Sequence, residues 1–397
     1  MRKILNHISG DRPIWAIATL LAIFSFLPVY SSSSNLAYLY GNGNTLSYIF
    51  KHLLHLLLGF SIMYGAHKIP YNYYKGISLL MIPIIIVLLT YTIFQPVYSD
   101  SMTNTSRWIK IPVLGFTFQP STLASSILLI YISRYLAKTK DDITSFSKTI
   151  LPLWIPVFIV VALILPANFS TAAILFLLVM VICFIGGYPK RYLSLVVFLG
   201  FFSLSIFVLA VKAYPELMPN RVDTWTSRID NFIDSEKEQS NYQIEKAKIA
   251  IATGGIKGLG PGKSIQKNFL PQSSSDFIYA IIIEEFGLIG GLFLVIVYIW
   301  FLFRIVIISN KSESIFGSLL AVSMGLPIVF QAFINMSVAV ELMPVTGQTL
   351  PLISIGGTSI WMTCLSIGII LSVSKKYEFN NEEVDNTSPL EILKETI

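Results

Sequence analysis

Long apolar runs recur along nearly the whole chain, and they constrain its fold more than any other feature. We predict ten of them, each near the roughly 20 residues that a helix needs to cross a bilayer. The predicted spans are 14–32, 46–66, 74–95, 119–137, 149–166, 169–187, 190–212, 277–308, 314–340 and 356–376. Only 13% of the 397 residues are charged, whereas soluble proteins contain roughly 25%. The sequence therefore predicts an all-α integral membrane protein with one polytopic membrane domain, residues 1–376.

Lys and Arg residues are distributed unevenly between the loops that join these spans. The loops 33–45, 166–168 and 341–355 contain no Lys or Arg, whereas the loop 138–148 on the opposite side contains three. Short basic loops stay in the cytoplasm. With an even number of spans, both termini are then expected in the cytoplasm and the long loop 213–276 outside it. The tail, residues 377–397, is acidic and polar, so we expect it to be disordered.

The cysteines and histidines do not form a metal-binding or disulfide pattern. Cys183 and Cys364 both lie inside predicted spans, where buried cysteine behaves as a small apolar side chain. His52 and His55 share one face of a predicted helix, but no third ligand is close to them in the sequence. We therefore expect this pair to lie near the membrane interface without a metal.

The stretch Lys267–Gly287 places three carboxylates in or beside the eighth predicted span. Asp276 ends a polar loop, and Glu284 and Glu285 follow inside the helix. Carboxylates in lipid are costly unless paired or hydrated, so they are functional candidates. Asp276 could instead be the N-cap of the helix, and the two glutamates could line a polar cavity or pair with another span.

The long outer loop contains two patterned segments. Tyr242–Ile256 repeats apolar residues at helical spacing, which predicts an amphipathic helix at the membrane surface. Gly254–Lys267 reads GGIKGLGPGKSIQK and ends like a phosphate-binding P-loop, but Lys257 occupies the position of its first glycine and no strand precedes it. This segment could be a flexible hinge, or it could contact a substrate phosphate through backbone N–H groups and Lys263 or Lys267.

Several separated motifs, all in the right order, resemble those of the SEDS family of bacterial cell-wall synthesis, which contains FtsW, RodA and SpoVE. The motifs are RWIKIP…FQPS at Arg107–Ser121, YQ at Tyr242-Gln243, the glycine-rich Gly254–Lys267, LP at Leu270-Pro271, SDFIYAIIIEEFGLIGG at Ser275–Gly291, and PVTGQTLPLISIGGTS at Pro344–Ser359. Ten spans with a large outer loop between the seventh and eighth are also the family's layout. The wording of the last motif is more similar to the division branch, FtsW.

The resemblance implies a peptidoglycan glycosyltransferase that polymerises lipid II, a disaccharide-pentapeptide carried on undecaprenyl pyrophosphate, during cell division. The family's essential acidic residue maps onto Asp276, which would be a general base or would hold a divalent cation, Mg²⁺ or Mn²⁺. The expected substrate-binding residues are Arg107, Lys110, Lys263, Lys267, Gln266 and Ser275. The expected cavity-lining residues are Glu284, Glu285, Ser354 and Thr358, with close helix packing as the alternative for the last two.

The resemblance also implies partners and a location. The expected partners are lipid II, a class B penicillin-binding transpeptidase and other divisome membrane proteins, with no nucleic acid. The expected location is the bacterial cytoplasmic membrane at the division septum. Two alternative functions remain open at this point. One is a flippase that moves lipid II across the bilayer, and the other is a non-catalytic scaffold that activates the transpeptidase.

The chain departs from the family pattern at three positions. Thr122 and Ser125 replace the Glu and Lys of the common QPSELAK motif, and Asn168 replaces an acidic residue after the fifth span. Because Glu and Lys are lost together, no single uncompensated charge is left in lipid. These changes argue against a catalytic role at the three positions in this protein and do not affect Asp276.

Overall fold

The computed structural model describes residues 9–40, 45–95, 108–110, 117–139, 146–213, 242–270 and 272–386. In this part of the chain there are eleven longer helices, two three-residue 3₁₀ helices (Tyr71–Tyr73 and Gln266–Asn268) and one pair of short strands. The helices are α1 (Arg12–Tyr40), α2 (Thr45–Lys68), α3 (Tyr74–Ile93), α4 (Pro120–Thr139), α5 (Phe146–Ile164), α6 (Phe169–Ile185), α7 (Lys190–Ala213), α8 (Tyr242–Gly254), α9 (Ile278–Lys311), α10 (Ile315–Ala339) and α11 (Gly357–Asn386). The strands β1 (Ile109–Lys110) and β2 (Thr117–Phe118) pair antiparallel.

The helices agree with the predicted membrane spans. Each of the ten predicted spans overlaps one helix, and α8 is the additional helix in the long loop. Among the described residues, seven helices are long and apolar enough to cross a membrane, and Phe169–Ile185 is a shorter apolar helix. The all-α, multi-pass membrane fold is therefore confirmed, while the number of ten crossings and the cytoplasmic side of the termini stay predictions.

Helix α9 is interrupted at Gly287, where φ is 68° and ψ is −171°. Only glycine adopts this conformation without strain. A Cβ atom at Gly287 would overlap the backbone carbonyl of Ile256, and one at Gly258 would overlap the carbonyl of Glu285. The glycines therefore allow the segment after α8 to lie directly against the backbone of α9.

Backbone hydrogen bonds join this glycine-rich segment to the interruption. Leu259 N donates to Glu284 O (2.9 Å), and Leu288 N donates to Gly255 O (2.9 Å). Peptide groups that the interruption frees from the helix thus find partners, which is what allows a broken helix to persist in an apolar surrounding. The segment is fixed against α9, which disagrees with the hinge hypothesis.

Helix α8 buries its small side chains and packs against α9. Ala247 and Ala250 are fully buried, whereas Tyr242 and Ile249 on other faces are exposed. The amphipathic helix is thus present, and it ends at Gly254, two residues before the predicted end. Its buried face contacts protein and not only the membrane surface.

The last helix continues beyond the predicted end of the membrane domain. Helix α11 ends at Asn386, so residues 377–386 are helical where we expected a disordered tail. Extending an existing helix adds one hydrogen bond for each residue fixed and avoids a new nucleation step. Residues 387–397 lie outside the described part of the chain.

The cysteine and histidine side chains are used in packing. Cys183 and Cys364 are both buried. His52 Nε2 lies 2.8 Å from Ser25 Oγ, while the ring of His55 packs beside Trp361 at a centroid distance of 5.4 Å. The two histidines thus have different neighbours, on α1 and on α11.

Candidate active site

A cavity of about 920 Å³ lies between α4, α6, α10 and α11 and is covered by the residues on either side of Asp276. Hydroxyl and carboxamide side chains dominate its polar lining. The carboxamides are Gln119, Asn168, Gln243, Asn268, Gln272, Gln331 and Gln348. Among the described lining residues, Asp276 is the only one that carries a charge. The cavity therefore combines one carboxylate with many neutral hydrogen-bonding groups.

Asp276 lies in a turn immediately before α9 and is half-buried. The turn is closed by Ser275 N and Asp276 N, which donate to Gln272 O at 3.0 and 3.1 Å. Phe277, not Asp276, occupies the N-cap position of α9, and it makes no side-chain cap hydrogen bond. The structure thus gives no support to the alternative that Asp276 is a helix cap.

The loop between α10 and α11 faces Asp276 across the cavity. Gly347 has a φ of 69°, and a Cβ atom placed there would lie 3.5 Å from Asp276 Oδ2. Thr346, Gln348 and Thr349 beside it also line the cavity. The backbone at Gly347 is therefore one wall of the space next to the carboxylate.

Ser354 and Thr358, which we expected to line a cavity, are not among the lining residues of this one. Ser354 holds the α10–α11 loop, and Thr358 joins the start of α11 to β2. Ser354 Oγ donates to Ser275 O (2.6 Å) and accepts from Leu350 N (2.8 Å). Thr358 Oγ1 donates to Thr117 O (2.8 Å) in β2. Both residues are buried, and both satisfy main-chain groups that helices and strands leave unpaired.

Glu284 and Glu285 also lie outside the cavity lining, contrary to expectation. Both are almost fully buried. The Glu284 carboxylate accepts hydrogen bonds from Ile265 N (3.0 Å) and Gln266 N (3.2 Å), and from the Ser264 hydroxyl. Buried carboxylates require such donors. The successive N–H groups of the glycine-rich segment thus form an anion-binding nest, and the protein's own Glu284 fills it.

Lys267 belongs to the same cluster. Its Nζ donates to Gly262 O (2.8 Å) and to Ser31 Oγ (3.2 Å), and Ser31 in turn donates to the Glu285 carboxylate. Gln266 joins the cluster through its backbone N–H, whereas Lys263 is exposed. None of Lys263, Gln266 and Lys267 lines the cavity.

Of the other residues that we expected to bind substrate, one lines the cavity. Ser275 lines the cavity beside Asp276, so the structure brings these two together. The backbone of Lys110 pairs with Thr117, and Arg107 lies outside the described residues. Trp108, which stands between these two basic residues in the sequence, lines the cavity.

All three departures from the family pattern lie in the cavity wall. Thr122, Ser125 and Asn168 line the same space as Asp276. Asn168 Oδ1 accepts from Thr171 N (3.2 Å) and caps the start of α6. Because the family's charged residues are replaced by neutral ones here, Asp276 dominates the electrostatics of the described lining.

Sequence reasoning missed the carboxamides on α10. Gln331 Nε2 donates to Thr349 O (2.8 Å), and Asn335 on the same helix donates to main-chain carbonyls near Asp276. The signal was present, because residues 331 and 335 are four apart and therefore share one face of an apolar span. Polar residues in that arrangement predict a polar neighbour.

The lining can be tested against the expected divalent cation. Among the described residues, no group of three or more His, Cys, Asp or Glu side chains could hold a metal ion. Mg²⁺ is commonly bound by one or two carboxylates together with substrate phosphates. A single carboxylate at Asp276 thus fits a cation that arrives with a pyrophosphate, and it does not fit a cation held by protein ligands alone.

Comparison with known proteins gives consistent matches. The model of the FtsW/RodA/SpoVE family, described as cell cycle protein, matches residues 11–378. The probable peptidoglycan glycosyltransferase FtsW of Nitrosococcus halophilus is 31% identical over 341 residues, 85% of each chain. The protein of the same name in Geobacter sulfurreducens is 30% identical over 372 residues, 92% of this chain and 95% of that one.

Two solved structures share the fold. The rod shape determining protein RodA of Thermus thermophilus superposes with a TM-score of 0.66 at 21% identity, covering 94% of this chain and 98% of that one. A chain from a peptidoglycan synthase complex, described for its coordination of polymerization and crosslinking, gives a TM-score of 0.71 at 22% identity, covering 92% and 98%.

Proposed function

This chain belongs to the FtsW/RodA/SpoVE family, as its motifs indicated, and we propose that it is a peptidoglycan glycosyltransferase that polymerises lipid II. The relatives named above are called peptidoglycan glycosyltransferases. One observation indicates where in the molecule the reaction would take place. Asp276 is the only charged residue among the described lining of a cavity otherwise rich in carboxamides and hydroxyls.

The cavity chemistry suits glycosyl transfer from a lipid pyrophosphate. An acceptor sugar hydroxyl attacks the anomeric carbon of the donor, and the pyrophosphate leaves. A carboxylate within reach of that hydroxyl would accept its proton, a contribution typically of about 10²–10⁴-fold. Neutral carboxamides and hydroxyls fix the orientation of a polar ligand by hydrogen bonds. We assign the base to Asp276 and the orientation of the sugars to the carboxamides around it.

The leaving pyrophosphate needs positive charge. A divalent cation that arrives with the pyrophosphate would supply that charge. Asp276 is the described carboxylate that would hold it, as the alternative to its role as base. Arg107 and Lys110 flank Trp108 in the sequence, and Trp108 lines the cavity, so we retain both as candidate pyrophosphate contacts. We reassign Lys267 from substrate contact to support of the buried glutamates, because its ammonium donates to Gly262 and Ser31. Lys263 stays a candidate contact at the exposed end of the segment.

The partner and the location follow from the same proposal. A structural relative comes from a complex described as coordinating polymerization and crosslinking. We therefore propose that a class B penicillin-binding transpeptidase crosslinks the strands that this chain produces, alongside other divisome proteins. The chain is a multi-pass membrane protein, and we place both termini in the cytoplasm, residues 213–276 outside, and the molecule at the septum.

A lipid II polymerisation assay in detergent micelles tests the activity and separates it from the alternatives. Micelles have no two leaflets, so a flippase would contribute nothing there. The purified chain with its transpeptidase, inhibited by penicillin, is expected to convert lipid II into glycan strands, and the transpeptidase alone is the control. Absence of polymer would contradict the proposal and leave the flippase and scaffold hypotheses standing.

A further inference from the structure

Asn335 is a buried carboxamide near the end of α10, with 1% of its surface exposed. Its Nδ2 donates to two main-chain carbonyls, those of Asp276 (2.8 Å) and Gln348 (2.7 Å). These two acceptors fix the orientation of the amide, because a flipped side chain would set its oxygen against both carbonyls. Asn335 therefore ties the Asp276 turn directly to the loop that contains Gln348.

The Asp276 carbonyl lies just outside the regular helix. Ala280 N donates to Phe277 O (3.1 Å), one residue later in the chain, and Asp276 O accepts from the Asn335 side chain (2.8 Å). A helix start leaves its flanking groups to be satisfied by partners from elsewhere in the fold. Asn335 thus holds the Asp276 backbone together with the bond from Asp276 N to Gln272 O (3.1 Å).

The second carbonyl lies next to the residue that faces the Asp276 carboxylate. Gly347 precedes Gln348, and a Cβ atom at Gly347 would lie 3.5 Å from Asp276 Oδ2. Because one amide group binds both loops, it fixes their separation at Asp276 itself, while Ile355 N joins the same loops by donating to Ser274 O (3.0 Å). Ser354 ties Ser275 to the same loop, but it acts one residue earlier in the turn.

We propose that Asn335 is a positioning residue for Asp276. It holds the carboxylate beside Gly347, at the edge of the cavity that the acceptor sugar would enter. The inference rests on the proposed function, in which Asp276 reacts with the acceptor. Misplacing a reacting group by about 1 Å can cost roughly 10²-fold in rate. Loss of both hydrogen bonds should therefore lower kcat by a larger factor than it raises KM, because Gln348 is only one of the seven carboxamides that line the cavity.

A double-mutant cycle with Asp276 tests this inference. Asn335→Asp is nearly isosteric and sets a carboxylate against two carbonyls, whereas Asn335→Ser shortens the side chain and removes both hydrogen bonds without adding a charge. In otherwise unmodified protein, both should lower kcat, with Asn335→Asp at about 10–100-fold and Asn335→Ser by less. In an Asp276→Asn background, the same changes should alter the residual rate by less than about 2-fold, since interacting residues are not additive. Asn72→Asp, an exposed site away from the cavity, is the control for added charge.

The possible outcomes separate this inference from the proposed function. If Asp276→Asn itself polymerises lipid II normally, the assignment of Asp276 is wrong and the positioning role falls with it. If Asp276→Asn is impaired while both Asn335 variants keep a normal kcat, only the positioning role is wrong. An equal loss in the two backgrounds, or a lower melting temperature with unchanged kcat in the folded fraction, would also overturn it and indicate a general structural role.

Discussion

The close approach between the glycine-rich segment and α9 makes a quantitative prediction. Gly258 and Gly262 both have φ of 77°. A Cβ atom at Gly258 would overlap the backbone carbonyl of Glu285, whereas a Cβ atom at Gly262 would meet nothing within 4 Å. Alanine at either position therefore has the same backbone strain, but only Gly258→Ala also forces the two backbones apart.

The difference between the two variants can be worked out from the structure. The left-handed conformation costs an alanine roughly 1–2 kcal/mol, which is the whole expected effect of Gly262→Ala. Gly258→Ala would also break the bonds from Leu259 N to Glu284 O and from Gly260 N to Glu285 O, at about 0.5–1.5 kcal/mol each. We expect a total of roughly 2–5 kcal/mol for Gly258→Ala.

The assay uses the protein's own cysteines. Cys183 and Cys364 are both buried, so a thiol-reactive fluorogenic dye reports unfolding in detergent as they become accessible. Gly258→Ala should lower the melting temperature clearly more than Gly262→Ala. Equal shifts in the two variants would refute the reasoning, because they would mean that the segment does not lie against α9 as described.

Three further predictions concern topology, Lys267 and the cation. Cysteines introduced at Ser240 and Asn386 should react with an impermeant reagent from opposite sides of the membrane. Labelling of the cysteine at position 386 in intact cells would contradict the predicted topology. Lys267→Met should lower the melting temperature without raising KM for lipid II, because the Lys267 ammonium supports the buried glutamates. The exposed control Lys257→Met should change neither quantity. A raised KM at normal stability would instead indicate that Lys267 contacts the substrate. Chelation of divalent cations should reduce polymerisation without lowering the melting temperature, since the described residues fit a cation only together with pyrophosphate; full activity in chelator would remove the cation from the mechanism.

Much of the fold could be predicted because a membrane span is recognised from its apolar composition alone. An apolar run of about 20 residues has few alternatives to a spanning helix, and every predicted span overlaps a helix. The end of α11 was missed because residues 377–386 are polar, and composition does not show that an existing helix continues into them.

The candidate site was predictable only in part. Asp276 was found because it is charged at the edge of a span, and it does line the cavity. Glu284 and Glu285 are equally polar, yet they bind the backbone of Ile265 and Gln266 instead. The glycine-rich segment that binds Glu284 lies against α9 at the break at Gly287, and a backbone interruption of this kind has no periodic signal. Asn335 could have been found as a polar residue on the same face of α10 as Gln331, but the sequence does not show its partners, which are distant main-chain carbonyls.

The polymerisation rate of Asp276→Asn tests the central claim most directly. Asn is nearly isosteric with Asp, and the Asp276 side chain is not the helix cap, so the fold, the amount of protein and the binding of the transpeptidase should be preserved. The rate of glycan synthesis from lipid II should fall by at least about 10²-fold, the lower end for loss of a general base. Glu341→Gln is the matched control, because it removes one negative charge from a loop residue that pairs with Lys248 outside the cavity. Normal polymerisation by Asp276→Asn at a normal protein level would contradict the assignment of Asp276 as the reacting carboxylate.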